Sequence, residues 1–254
     1  MSKPDSSDRL TTRNFWVDYW AKTKVGAVSE DIFFKNLMGY FPKAPATCLE
    51  IGGFPGSFTT YFRKFHNYDV TLLDYVVVED IVREVEKING LNSGDIKIIE
   101  GDLFELVPPR KFDVVFSAGF IEHFKNVDDV FHKHVEFMKD GGTLYMSVPN
   151  FKGISGYAQK WFDKANYDVH NIDVMEKSVF EKMSQKHNLK IKYLDYYGRP
   201  NMWLDHPEQA GVFARKFVGI SNIILRYAYK FLNGRFMTGR QLSPFIILIA
   251  EKSN

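Results

Sequence analysis

Short apolar runs alternate with stretches of helical periodicity along most of this chain. Residues 47–51, 69–73, 96–99, 112–116 and 143–148 read as five strands. They are too continuously apolar to be half-exposed hairpin strands, which predicts a parallel sheet covered on both faces. Between them a helix is expected to begin near Ser57. Val78, Ile81, Val82, Val85 and Ile88 recur at helical spacing, and Asn126 caps a run with Val127, Val130, Phe131, Val135 and Met138 on its buried side. An Asp-Gly-Gly turn precedes the fifth strand. Further on, Asp173 and Glu176 have the spacing of a capping box for a helix carrying Met175, Val179, Phe180 and Met183. Residues 189–197 and 243–250 add two strands. The pattern is an α/β layer architecture.

Three stretches depart from it. Residues 1–12 are polar and expected to be loose. They lead into Phe15, Trp16, Tyr19 and Trp20 at helical spacing, either a docking helix or a lid. Residues 29–41 predict a helix capped by Ser29, with Phe34, Leu37, Met38 and Phe41 on one face and Pro42 and Pro45 beyond its end. Residues 1–44 thus read as a helical leader or lid, and 45–254 as the main domain. Within that domain, residues 150–172 are too glycine-interrupted for one long helix. Residues 199–242 are too many for a hairpin loop. Part of the latter, 221–232, predicts a helix with Ile223, Ile224, Tyr227 and Phe231 on one side. Arg215, Lys216, Arg226, Lys230, Arg235 and Arg240 fall in the same stretch, and Glu208 is the only acid between Pro207 and Glu251. Two readings stand open for this insert: a solvated charged face, or a basic apolar surface for an anionic substrate, an anionic membrane or a partner.

The chemistry gathers at strand ends. Strand 47–51 runs into Gly52-Gly53-Phe54-Pro55-Gly56, where glycines admit close approach of a ligand. Asp74 ends the next strand, and a carboxylate there can accept both hydroxyl hydrogens of a ribose. Asp102, the 117–123 stretch and Pro149-Asn150 also fall at carboxyl ends of strands, where ligands of open α/β sheets bind. A dinucleotide site would place glycines at 54 and 57, and neither is present.

Composition narrows the class. The chain has 254 residues, 45% apolar content and a formal net charge of +2, as expected for one soluble domain with no special affinity for nucleic acid. A single cysteine, Cys48 in an apolar strand, excludes an intramolecular disulfide and a thiolate metal cluster. There is no apolar signal-like stretch at the N-terminus and no run long enough to span a membrane, so the cytoplasm is the expected compartment.

The set of motifs resembles the class I S-adenosylmethionine-dependent methyltransferases, especially those acting on small molecules. The resemblance is good over residues 45–150 and looser over 150–200. The first family motif, E-x-G-x-G-x-G, stands here as Glu50-Ile51-Gly52-Gly53-Phe54-Pro55-Gly56, with Phe54 in place of the middle glycine. The resemblance implies a Rossmann-like, seven-stranded, mostly parallel sheet with helices on both faces and substrate-side insertions. It implies S-adenosyl-L-methionine as cofactor, held by Glu50, Gly52, Gly53, Gly56, Asp74, Tyr75, Asp102, Leu103 and Ser117. Asp74 matches the ribose-binding acid, Tyr75 the position beside adenine, and Gly101-Asp102-Leu103 the segment at the adenine amino group. FDVVFSAGFIEHF resembles the fourth-strand motif at the methionine end, KDGGTL the turn into strand five, and VPNFKGISGY the substrate-side segments.

Methyl transfer asks for positioning, exclusion of water and, for a hydroxyl or amine acceptor, loss of a proton. His123 and His170 are the candidate catalytic bases because histidine titrates near neutral pH. Glu122 reads as a solvent-facing acid. HKH at 132–134 does not have metal-ligand spacing, and no metal is expected. Tyr19, Trp20 and Arg13 are candidates for closing over the cofactor; Tyr157, Trp161 and Phe162 for lining an acceptor pocket; ordinary packing is the alternative for each. The expected reaction is methylation of a small organic acceptor, with oxygen slightly favoured. A lipid or quinone-like acceptor, and a non-catalytic cofactor-binding scaffold, are the alternatives.

Overall fold

The computed structural model describes residues 8–21, 23–232, 234 and 237–253. Arg235 and most of the expected loose N-terminus lie outside them. Among the described residues seven strands form one sheet: β1 (Thr47–Ile51), β2 (Asp69–Asp74), β3 (Ile96–Glu100), β4 (Phe112–Ala118), β5 (Met138–Pro149), β6 (Leu189–Tyr197) and β7 (Phe245–Lys252). Their order is β3-β2-β1-β4-β5-β7-β6, parallel except where β7 runs against β5 and β6. The order reverses between β1 and β4, which puts a crevice at their carboxyl ends.

The apolar strands are buried on both faces because alternate residues serve two cores. Leu49, Val115, Leu144, Met146 and Leu248 enter one, and Cys48, Val114, Phe116, Tyr145 and Ile247 the other. The first core is closed by α4 (Val127–Glu136) and α7 (Lys177–Lys186); the second by α2 (Ser57–His66), α3 (Glu79–Ile88) and the segment around Phe34. Phe116 and Tyr145 stack across β4 and β5 with centroids 4.2 Å apart. Cys48 is buried, as its strand predicts.

Several expected elements differ. Residues 29–41 hold only a 3₁₀ turn, Lys35–Tyr40. The Ser29 hydroxyl accepts from the nearby Asp31 N–H instead of capping a helix. Consecutive Phe33 and Phe34 are drawn to different partners: Phe33 stacks on Phe245 while Phe34 enters the core. The Asp173–Glu176 capping box does not form. Asn171 accepts from Asp173 N–H, and the Glu176 carboxylate pairs with Lys152 and Arg240, so α7 begins only at Lys177. β5 runs straight through the expected Asp-Gly-Gly turn, with Gly141 at φ +72°. Residues 150–172 contain two short helices, α5 (Ile154–Phe162) and α6 (Lys164–Asp168). The 221–232 helix is nearly twice as long as expected, α8 (Gly211–Phe231). Before all of these lies α1 (Arg13–Trp20), capped by the Thr12 hydroxyl.

Candidate active site

The glycine turn is built by Glu50 and Asp74 from its two sides. Glu50 is buried, and its carboxyl accepts from Thr59 N–H at 2.7 Å and from the Thr59 hydroxyl, so the strand caps the helix that follows. Burial outweighs those bonds and pushes its pKa up to about 8. A side chain at Gly53 would strike that carboxyl, and one at Gly52 (φ +70°) would strike the Phe120 ring. Asp74 Oδ2 accepts from Phe54 N–H at 3.0 Å, and Oδ1 from Val76 N–H at 3.1 Å. Burial raises this carboxyl to about 6 against those bonds. Phe54, where the resemblance expects glycine, therefore serves the turn through its peptide N–H; its ring is buried edge-on to Trp20.

Gly52, Leu73, Asp74, Tyr75, Gly101 and Leu103 line a narrow cavity of about 40 Å³, with room for only a few waters. Arg9 fills the space beside it. Residues 8–10 pair with 123–125 through Leu10 N–H to His123 carbonyl and Lys125 N–H to Asp8 carbonyl. That pairing sets the Arg9 guanidinium 4.6 Å over the Tyr75 ring and in an ion pair with Asp102.

A wider groove of about 430 Å³ continues from Glu50, Gly52 and Gly53 to Glu122, His123, His170, Trp203 and Asp205. Trp16, Tyr19 and Trp20 of α1 form one wall of it, and Tyr19 reaches Asp205. The opposite rim is fixed by Asp163, whose carboxylate accepts from the N–H groups of Asp205 and His206. His123 and His170 are neighbours, with ring centroids 4.6 Å apart and planes tilted by 50°. Burial drives the His123 pKa down to about 3, helped by its neighbour His170, and lowers His170 as well, so both are neutral at pH 7.

The structure brings together Glu50, Gly52, Gly53, Asp74, Tyr75, Leu103, His123 and His170, with Asp102 tied to them through Arg9. It does not bring Gly56 or Ser117 to the cavities. Gly56 sits behind the turn, where its φ of +100° starts α2, and Ser117 is buried within β4, just before the groove-lining Ala118 and Gly119. Tyr157 and Trp161 are exposed, and Phe162 packs on Phe213 and Phe217; none of the three lines the groove. Arg13 pairs with Glu100 outside it. Glu122 is not solvent-facing: it is wholly buried, and burial pushes its pKa up to about 8. Sequence periodicity missed it because a turn of three buried residues, Ile121–His123, shows no period.

The family model described as "Methyltransferase domain" matches residues 29–194. The chain belongs to this methyltransferase family. A curated relative, malonyl-[acyl-carrier protein] O-methyltransferase 2 of Ilyobacter polytropus, is 28% identical over 101 residues, which span 39% of this methyltransferase and 38% of that protein. Among solved structures, Haemonchus contortus phosphoethanolamine N-methyltransferase 2 with S-adenosyl-L-methionine superposes with TM-score 0.59 at 15% identity, over 96% of this chain and 58% of that one. Geranyl diphosphate C-methyltransferase of Streptomyces coelicolor A3(2), with Mg2+, geranyl diphosphate and S-adenosyl-L-homocysteine, gives 0.54 at 12% identity over 86% and 77%. These likenesses show the methyltransferase fold, and α8 lies beyond the family match.

Proposed function

We propose that this methyltransferase transfers a methyl group from S-adenosyl-L-methionine to the oxygen of a small organic acceptor, in the cytoplasm. One observation carries the reading: the glycine turn and the histidine pair open onto the same groove. The residues fit the cofactor. Gly52 and Gly53 leave no room for side chains, and Asp74 with Tyr75, Gly101 and Leu103 makes a mostly apolar slot ended by one carboxylate, suited to a nucleoside. The α2 N-terminus is already engaged by Glu50, which disfavours a pyrophosphate there. When bound, the cofactor supplies a methyl group on a sulfonium that leaves as a neutral thioether. Asp74 would accept from the ribose hydroxyls, and Glu50 would hold the turn. The neutral imidazole of His170 would take the acceptor's proton, while His123, held near 3 by burial and so a poor base, would orient the acceptor, and Trp16 and Trp20 exclude water. On this reading α1 acts as the lid of the expected leader, while Phe34, Leu37 and Phe41 anchor the rest of it in the second core. Calorimetry with S-adenosylhomocysteine, with NADH as control, tests it: tight binding of the first alone is expected, and absence of binding by folded protein would bring forward the non-catalytic scaffold.

Arg9 must swing away for adenine to lie against Tyr75, because the cavity beside it admits only a few waters. Arg9→Ala is expected to speed association of S-adenosylhomocysteine severalfold, followed by stopped-flow tryptophan fluorescence. An unchanged association rate would refute the gate.

A second reading, methylation of a lipid-like acceptor, is favoured by α8. Phe213, Phe217, Ile220, Ile224, Tyr227 and Phe231 form one exposed stripe along this helix, with Phe231 87% exposed. Arg215, Lys216, Arg226 and Lys230 are exposed on the same helix, Lys216 nearest the stripe and Arg215 and Arg226 on the side away from it; no described carboxylate pairs with them, and the helix has no acid. Arg199, Arg226 and Lys230 also line a cavity of about 750 Å³ on this helix. Among the described residues no helix is long and apolar enough to cross a membrane, so α8 would lie in the interface of an anionic phospholipid bilayer. Asn222 exchanges two hydrogen bonds of 2.8 Å with the Met202 backbone, linking α8 to the rim residue Trp203. The protein is expected to sediment with phosphatidylglycerol vesicles and not with phosphatidylcholine vesicles, and Arg226→Glu/Lys230→Glu to lower that binding severalfold. Equal binding to both vesicles, or an α8-mediated dimer that Ile224→Glu dissociates, would overturn this reading.

A further inference from the structure

Three ligand-bearing side chains meet at the floor of the groove from separate parts of the chain. Glu122 and His123 come from the turn after β4, and His170 follows α6. One ligand atom from each lies within 4.8 Å of the others. Two imidazoles and one carboxylate are a donor set for divalent first-row cations that leaves coordination positions open.

Two further observations point to a ligand. Glu122 is 0% exposed, and among the described residues no other residue hydrogen-bonds to its carboxyl oxygens, which have only the peptide N–H of Glu122 itself nearby. Such a group is costly to bury unless something satisfies it, and it borders the groove. Each histidine, moreover, is oriented through Nδ1. His123 Nδ1 lies 3.0 Å from the Val169 carbonyl, and His170 Nδ1 2.6 Å from the Asn166 carbonyl. A carbonyl can only accept, so in the neutral rings Nδ1 carries the proton and Nε2 keeps its lone pair. An imidazole fixed in this way by a backbone acceptor is prepared as a metal ligand. Trp16 and Phe151 pack against the two rings at 5.1 and 4.9 Å and hold their orientation.

We propose that Glu122, His123 and His170 bind one divalent transition-metal cation whose open positions face the acceptor. The assignment deepens the proposed methyl transfer and rests on it for its chemistry. A hydroxyl reaching the cation would have its pKa lowered. Its O–H bond then breaks with the proton passing to solvent before Trp16 and Trp20 close the groove, its oxygen lone pair forms the new bond to the methyl carbon, and the carbon–sulfur pair stays on sulfur. In that case the imidazoles hold the cation instead of taking the proton, and hydroxyl acceptors are preferred over charged amines.

The test titrates the chelator-treated full chain with Co2+, followed by visible absorption, and with Zn2+ by calorimetry. One equivalent of Co2+ with a d–d band is expected. His170→Ala and Glu122→Gln are each expected to weaken Co2+ binding at least about tenfold, while S-adenosylhomocysteine binding, read on the same samples, reports that the variants are folded. Should Glu122→Gln not fold, His170→Ala decides alone, since His170 is only partly buried. Wild-type protein that binds S-adenosylhomocysteine but takes up no Co2+, or a folded His170→Ala that binds Co2+ like wild type, overturns the site. Co2+ uptake without S-adenosylhomocysteine binding would remove the cofactor reading and leave the metal site standing.

Discussion

Asp74→Ala is expected to weaken S-adenosylhomocysteine binding at least about tenfold, because it removes a charged acceptor from a site with little competing water. The carboxylate is 7% exposed at the carboxyl end of β2. It already receives the N–H groups of Phe54 and Val76, with the Tyr75 N–H also turned toward it, and its remaining lone-pair capacity is open to hydroxyl donors. Truncation would also release the Phe54 peptide and loosen the glycine turn. Asp74→Asn separates these effects, since its amide oxygen can still hold one N–H. The pKa near 6 adds a signature. Hydroxyl donors favour the ionised form, so wild-type affinity should fall as pH drops through 6, and Asp74→Asn should show no such step. Calorimetry at pH 5 and pH 8 reads both. A folded Asp74→Ala that binds as wild type, or a wild type without the step, would remove Asp74 from the ribose-binding role.

The strands were legible because the signal that makes them is local. Five residues such as Thr47–Ile51 are apolar without interruption only if both faces are covered, and β1 is covered on both. The glycine turn and Asp74 were legible for a related reason: a strand, a turn and an acid at the next strand end are fixed relative to each other by the sheet register, which pairs Ile51 with Leu73. What failed depended on partners distant in sequence. Phe34 fits a helical face with Leu37, Met38 and Phe41, but Phe245 draws its neighbour Phe33 one way while the core takes Phe34 the other. Glu176 has capping-box spacing, but Arg240 and Lys152 take its carboxylate. Ser117 falls in the right motif, one residue too early for its side chain to reach the groove. Glu122 was the costliest miss. In sequence it is an acid beside a histidine; only the fold buries it and brings His170 opposite. The same applies to Arg9, whose place over Tyr75 comes from the pairing of residues 8–10 with 123–125.

Glu50 offers a stability effect of comparable size. Its folded pKa is raised from 4.5 to about 8, so the native state binds a proton that the unfolded chain releases. A raised carboxyl leaves stability intact below the unfolded pKa and subtracts from it as pH rises toward the folded pKa. Integrated from pH 5 to pH 8, this one group costs roughly 3 kcal/mol. Other raised carboxyls, Asp74 and Glu122, act in the same direction, so wild-type stability alone does not isolate Glu50. The comparison with Glu50→Gln does. Glutamine keeps an oxygen for the Thr59 N–H and hydroxyl but does not ionise. Urea unfolding should therefore show Glu50→Gln gaining on wild type by about 3 kcal/mol between pH 5 and pH 8, a shift set by proton linkage rather than by any new contact. A difference between the two proteins that is the same at both pH values would mean that Glu50 is ionised in the native state, with its charge supported by the α2 N-terminus it caps.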